Sequence, residues 1–282
     1  MHEHASEQKK EKEQNDSEHE EASRRSSPSG KVVYKAILKE ADDELKRPSS
    51  ALFWSGLAAG LSMGFSLVAE GLLRSHLPDA PWRPLIAKFG YSVGFLIVIL
   101  GRQQLFTENT LTPVLPVLRE KKAEVLLNML RLWGVVLVAN LIGAVVMALA
   151  VVKLPAFEGD VQRNFIELGH EAMRNTFWTS LIKGVFAGWL IALIVWLLPF
   201  AESSHFFVII AITYIVGLGK LTHIIAGTTD VSAVCWAGEE QWTSAVGRYV
   251  IPTLIGNIVG GVTFVAALNH AQVVAGGEGT DA

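Results

Sequence analysis

Residues Gly217 to Asp230 read Gly-Leu-Gly-Lys-Leu-Thr-His-Ile-Ile-Ala-Gly-Thr-Thr-Asp, and the reading of the whole chain turns on them. They lie in and just beyond an apolar run from Phe206 to Ala226 that is long enough to cross a membrane. Glycines at 217 and 219, then Lys220, Thr222 and His223, are unusual near mid-depth. Helix propensity falls there, and a lysine and a histidine are costly in hydrocarbon. Backbone that stops being helical at that depth must be buried in protein or line a wet cavity. The stretch reads as a broken helix that presents His223 to a transport path. A histidine satisfied by a neighbouring helix is the other reading, and these residues alone leave both open.

The surroundings support a membrane protein. Half of the 282 residues are apolar or aromatic, and mean hydropathy is positive. Of the 51 charged side chains, 22 lie in residues 1–50, so the net charge of −3 describes tail and loops and carries no nucleic-acid signal. Cys235 is the only cysteine, which excludes an intrachain disulfide. Residues 1–30 lack periodicity and read as a disordered, charged tail. Val33, Ile37, Ala41 and Leu45 recur every fourth residue, so 31–48 reads as an amphipathic helix at the membrane surface, ended by Pro48. The transporter domain is expected over 50–272, followed by a short tail, 273–282.

Six crossings are expected. The first is Ala51 to Leu73. The second is a half-span, Tyr91 to Leu100, followed by Gly-Arg-Gln-Gln-Leu-Phe-Thr-Glu-Asn-Thr and then Leu111 to Leu118, interrupted by Pro113 and Pro116. Val125 to Val152, Phe177 to Phe200, Phe206 to Trp236 and Val250 to Leu268 follow. Residues 153–175 read as the longest loop. An even number of crossings puts both termini on one side. The cluster Arg119, Lys121 and Lys122, with the lysines of 31–46, makes that side cytoplasmic under the positive-inside rule.

The halves, about 50–152 and 176–270, resemble each other. Gly56-Leu-Ala-Ala-Gly60 matches Gly184-Val-Phe-Ala-Gly188, and Ala139-Asn140-Leu-Ile-Gly143 matches Gly256-Asn257-Ile-Val-Gly260. Thr107 precedes Asn140 by 33 residues, and His223 precedes Asn257 by 34. Three-span halves insert oppositely, so the expected fold is an all-α integral membrane protein of six transmembrane helices in two inverted repeats, helices 2 and 5 broken. Matched breaks in two halves point to a binding or conduction site. Asn140 and Asn257 read as interhelical hydrogen-bonders that hold the broken segments. Arg102 and Glu108 flank the other break and are expected to pair. Lys220 either approaches the pore, one turn before His223, or reaches toward an interface.

Leu105-Phe106-Thr107-Glu108-Asn109 after a half-span, a mid-span His223, and Ile255-Gly256-Asn257-Ile-Val-Gly-Gly261 together resemble the formate/nitrite transporter family. Gly101–Thr110 and Arg131-Leu-Trp-Gly-Val-Val136 are most like its YfdC-like branch. The resemblance implies an aquaporin-like fold, a homopentamer in the inner membrane, and one pore per protomer. It implies that Thr107 meets His223 at the pore centre, supported by Asn109, with apolar constrictions from Leu105, Phe106, Tyr91, Phe95, Val216 and Ile191. The implied substrate is a small monovalent anion, such as formate or nitrite, or its conjugate acid. Proton coupling would run through the histidine, which can lend or recover a proton. No bond is made, so no enzyme, cofactor or metal is expected. Members carry a vestibule lysine where this chain has Ala172, beside Glu171 and near Arg174. The acidic residue before the histidine is Thr222, and the asparagine four after it is Gly227. Ala172 and the acidic loop residues Glu158, Asp160, Glu167 and Glu171 keep open a pore for neutral or cationic solutes, and the long charged tail keeps open a membrane scaffold that recruits a partner.

Overall fold

A computed structural model describes residues 29–201 and 204–275. The tail expected over 1–30 and the last part of 273–282 lie largely outside them. The described residues are helical, with no strand among them. Gly30–Lys46 forms α1, whose Tyr34, Ile37, Leu38 and Ala41 share one buried face. Ser49–Met63 (α2) and Phe65–His76 (α3) follow nearly continuously, then Tyr91–Leu100 (α4) and Val114–Glu120 (α5). Ala123–Lys153 (α6) has 31 residues, about 46 Å at the helical rise, enough to exceed a hydrocarbon core. The second half contains Gly159–Met173 (α7), Phe177–Leu197 (α8), His205–Leu218 (α9), Ile224–Ala237 (α10), Ile251–Gly261 (α11) and Leu268–Ala275 (α12). Among the described residues, five helical rods are long and apolar enough to cross a membrane, and α9 and α10 are shorter apolar helices.

Residues 153–175 correct the loop expected there. Val161, Phe165, Leu168, Gly169 and Met173 are buried at helical spacing, so most of the segment is α7, packed on α3 and α10. The charges between those positions hid the period.

The densest packing occurs twice, α2 against α6 and α8 against α11. Small residues allow it. A methyl group on Gly60 would collide with the Asn140 carbonyl, and one on Gly188 would collide with that of Asn257. Around these pairs a single apolar cluster gathers Phe95, Leu105, Phe106, Ile191, Val216 and Ile224. Both described ends of the chain share one face: α1 packs on α5 and α12, and the Tyr34 hydroxyl lies 2.9 Å from His270 Nδ1. Arg131 donates to the carbonyls of Leu45 and Arg47 at the end of α1, tying it to α6.

Candidate functional site between two vestibules

Both breaks begin in the same way. At the end of α4, Gln103 N–H bonds Val98 O and Arg102 N–H bonds Ile99 O; at the end of α9, Leu221 N–H bonds Val216 O and Lys220 N–H bonds Gly217 O. Each is a helix-ending double bond that needs a left-handed residue, and Arg102 (φ 49°) and Lys220 (φ 48°) occupy that position. A cation there also faces the negative end of its half-helix.

Each break is then held by an asparagine. Asn140 Oδ1 accepts Phe106 N–H (2.9 Å), and its amide donates to the carbonyls of Gly56 (2.7 Å) and Gln104 (2.9 Å). Asn257 Oδ1 accepts Ile224 N–H (2.8 Å), and its amide donates to those of Gly184 (2.8 Å) and Thr222 (3.0 Å). This register corrects the spacing expected from sequence. Phe106 is equivalent to Ile224, so His223 corresponds to Leu105, and Thr107 and His223 are not counterparts.

They nevertheless meet. Thr107 Oγ1 lies 2.8 Å from His223 Nε2, and both residues are fully buried. His223 caps α10, its Nδ1 accepting the N–H groups of Ile225 (3.3 Å) and Ala226 (3.2 Å). A ring nitrogen that accepts carries no proton, so the proton is on Nε2 and His223 donates to Thr107. The N–H groups of Ile224, Ile225 and Ala226 are then occupied, and Gly227 N–H begins the regular helical ladder by bonding His223 O. The Thr107 hydroxyl hydrogen is left to donate elsewhere. Phe95 packs edge-on against the imidazole, with ring centroids 4.9 Å apart.

Vestibules open on both sides. On the face opposite the termini, a cavity of ≈ 200 Å³ is lined by Tyr91, Leu221, Thr222, Lys183, Arg174 and Asp230, among others; it has room for several waters. On the terminal face, one of ≈ 530 Å³ reaches Gln103, Gln104 and Glu108. Thr107 and His223 lie between them in the chain path.

Several expected charges take other partners. Arg102 pairs with Glu40 of α1 (3.5 Å) rather than with Glu108, whose Oε1 has no hydrogen-bond partner among the described residues. Lys220 and His223 do not share a helical turn, because 219–223 is not helical. Lys220 instead reaches Glu171 (2.9 Å), which also bonds Arg74 (2.8 Å). Burial raises the Glu171 carboxyl, but these two partners outweigh it and hold it at about 2. Glu70, midway along α3, is bound to Lys88 (2.6 Å) and Arg74 (3.3 Å). Two of the carboxylates at this mouth, Glu171 and Glu70, are thus each offset by two cations. Lys183 and Arg174 line it, and neither forms an ion pair with a described carboxylate.

Other departures have local reasons. The Tyr249 hydroxyl occupies the space where a side chain at Gly227 would project. Thr222 donates to Ser180 O (2.6 Å). Asn109 bonds Gln104 Oε1 (2.9 Å), and Trp133 donates to Asn109 O (2.8 Å) while packing edge-on against Phe106. Sequence reasoning missed Lys183, Gln104, Leu221, Asp230 and Tyr249. Lys183 was signalled, one residue before Gly184, as a charge at the start of an apolar span.

Apolar helices packed around two polar breaks, with an open mouth on either side, define a membrane transport protein. The chain belongs to the formate/nitrite transporter family, whose model matches residues 31–271. It is therefore a channel or transporter, not an enzyme. Inner membrane protein YfdC of Escherichia coli is 39% identical over 242 residues, spanning 86% of this chain and 78% of YfdC. The formate channel BtFdhC of Bacillus thuringiensis is 26% identical, spanning 83% and 91%. A solved pentameric formate channel with formate bound has a TM-score of 0.67 at 21% identity, covering 80% of this chain and 98% of its own. A solved ion channel of the same family has a TM-score of 0.74 at 17% identity, covering 86% and 98%. These two similarities bear on the fold.

Proposed function

We propose that the chain crosses the inner membrane six times as two inverted repeats with cytoplasmic termini. As a homopentamer, it conducts small monovalent weak-acid anions such as formate or nitrite through one pore per protomer. Support for the substrate class comes from the chemistry of the centre and from the relatives' substrates. The observation that carries the reading is the Thr107–His223 contact, made by two clamped breaks between two vestibules.

An anion meets a desolvation barrier at the apolar segments, to which we assign Tyr91, Phe95, Leu105, Phe106, Val216 and Ile191. Lys183 and Arg174 raise its concentration at one mouth in place of a lysine at Ala172. At the centre the Thr107 hydroxyl donates to it, because its oxygen is already engaged by His223 Nε2–H and the α10 amides are occupied. The positive end of α10 adds a field favouring negative charge. Proton coupling through His223 requires Nδ1 to release Ile225 and Ala226 before it can be protonated. The proton therefore enters only with a local rearrangement of the α10 cap.

A pore for neutral or cationic solutes was motivated by Ala172 and the acidic residues around it. The ion pairs of Glu171 remove much of that motive. In proteoliposomes, flux of formate, nitrite or acetate that exceeds glycerol flux supports the anion reading. Glycerol flux without flux of any weak-acid anion overturns it.

A further inference from the structure

A second cationic cavity lies away from the pore, where α1, α5 and α12 meet on the terminal face. Lys31 and Lys35 of α1, Arg119 and Lys121 at the end of α5, and His270 of α12 line a space of ≈ 250 Å³. Leu38, Leu118, Val273 and Val274 form its apolar wall, and no carboxylate lines it. Arg119 is committed to Asp42 (3.1 Å) and Glu120 (2.7 Å), and Lys122 also pairs with Glu120. Lys31, Lys35 and Lys121 form no ion pair with a described carboxylate. Tyr34 and His270, bonded to each other, add polar atoms to the lining.

Lys121 is the informative residue. It ends α5 with φ 52°, a left-handed conformation that lysine adopts only at a cost. The half-helix after the other break, α10, ends in the same conformation with Gly238 (φ 83°). Glycine thus serves the backbone at one of these caps, whereas at the other the chain carries a cation that lines the cavity.

We infer that this cavity binds the headgroup of an anionic phospholipid. The lysines would face the phosphate and the apolar wall would face the glycerol and upper acyl chain. Three cations without described partners beside apolar side chains, two on the amphipathic α1 and one at the end of α5, match such a lipid in charge and polarity. The inference rests on membrane insertion of the chain and is independent of the substrate proposed for the pore.

The test is native mass spectrometry of the full-length protein in detergent, with phosphatidylglycerol or phosphatidylcholine of identical acyl chains added. The wild type should retain phosphatidylglycerol preferentially. Lys121→Gly, which keeps the cap conformation, should weaken that retention about fivefold, the order expected for one lysine at a membrane surface. Adding Lys31→Gln and Lys35→Gln should abolish the preference, while Lys153→Gln at the far end of α6 should leave it intact. An unchanged oligomer peak shows that the variants are folded. Equal retention of the two lipids, or an unchanged preference in the triple variant, overturns the inference. So does displacement of the lipid by an equal concentration of inorganic phosphate, which would make this a site for the free ion. Preference appearing only after deletion of residues 1–28 also overturns it, assigning the cavity to the tail.

Discussion

Asn140 and Asn257 make the same three hydrogen bonds from opposite halves of the chain. Each accepts one backbone N–H from a break and donates to two carbonyls, one in the break and one at a helical glycine. Both are fully buried. The pair is what lets two interrupted segments meet in an apolar interior.

Removing either amide strands two buried backbone groups of the break, each costing about 1–3 kcal/mol less whatever a water recovers, while the helical glycine carbonyl keeps its intrahelical bond. Asn140→Ala and Asn257→Ala should each lower stability by roughly 3 kcal/mol. Thermal unfolding in detergent should show similar losses. A silent substitution at either site would mean that the clamps are not equivalent.

Close helix approach makes a second, positional prediction. Gly60→Ala and Gly188→Ala place a methyl group into the facing backbone and should reduce the yield of folded oligomer. Gly134→Ala and Gly247→Ala meet nothing within 4 Å and should be neutral, or stabilising by up to about 1 kcal/mol through helix propensity.

Glu171 gives a signed pH dependence. Its carboxyl is held at about 2 in the folded protein, against an ordinary 4.5. A carboxyl lowered on folding contributes its full stability above the ordinary value, and that contribution is lost as pH falls through the folded value. The melting-temperature difference between wild type and Glu171→Gln should be constant from neutral pH down to about 4.5 and shrink toward about 2. A difference that instead grew on acidification would contradict the ion pairs with Arg74 and Lys220.

The all-helical membrane fold was legible because apolar run length is a local signal. The contact of Thr107 with His223 was not. Spacing to the asparagines treated the two as counterparts, whereas the clamps pair Phe106 with Ile224; the contact was expected only through family resemblance. Charge partners were the least legible. Arg102 and Glu108 are near in sequence, but the left-handed turn directs Arg102 to Glu40, 62 residues away. The amphipathic period of α7 was masked because its buried positions alternate with charges.

Lys183 is predicted to serve as the vestibule cation. Lys183→Gln should lower anion flux several-fold at low ionic strength and much less at high salt, because the attraction is screened. Ala172→Lys on that background should restore flux. An equal loss at both salt concentrations would point to a packing role instead.

The decisive measurement is formate flux in proteoliposomes containing wild type, Thr107→Ser or Thr107→Val. A charge-assisted hydrogen bond to the anion is worth about 1.5–3 kcal/mol, so valine should reduce flux roughly 10- to 100-fold while serine retains most of it. Wild-type formate flux that persists undiminished in Thr107→Val would show that the anion does not pass by this hydroxyl.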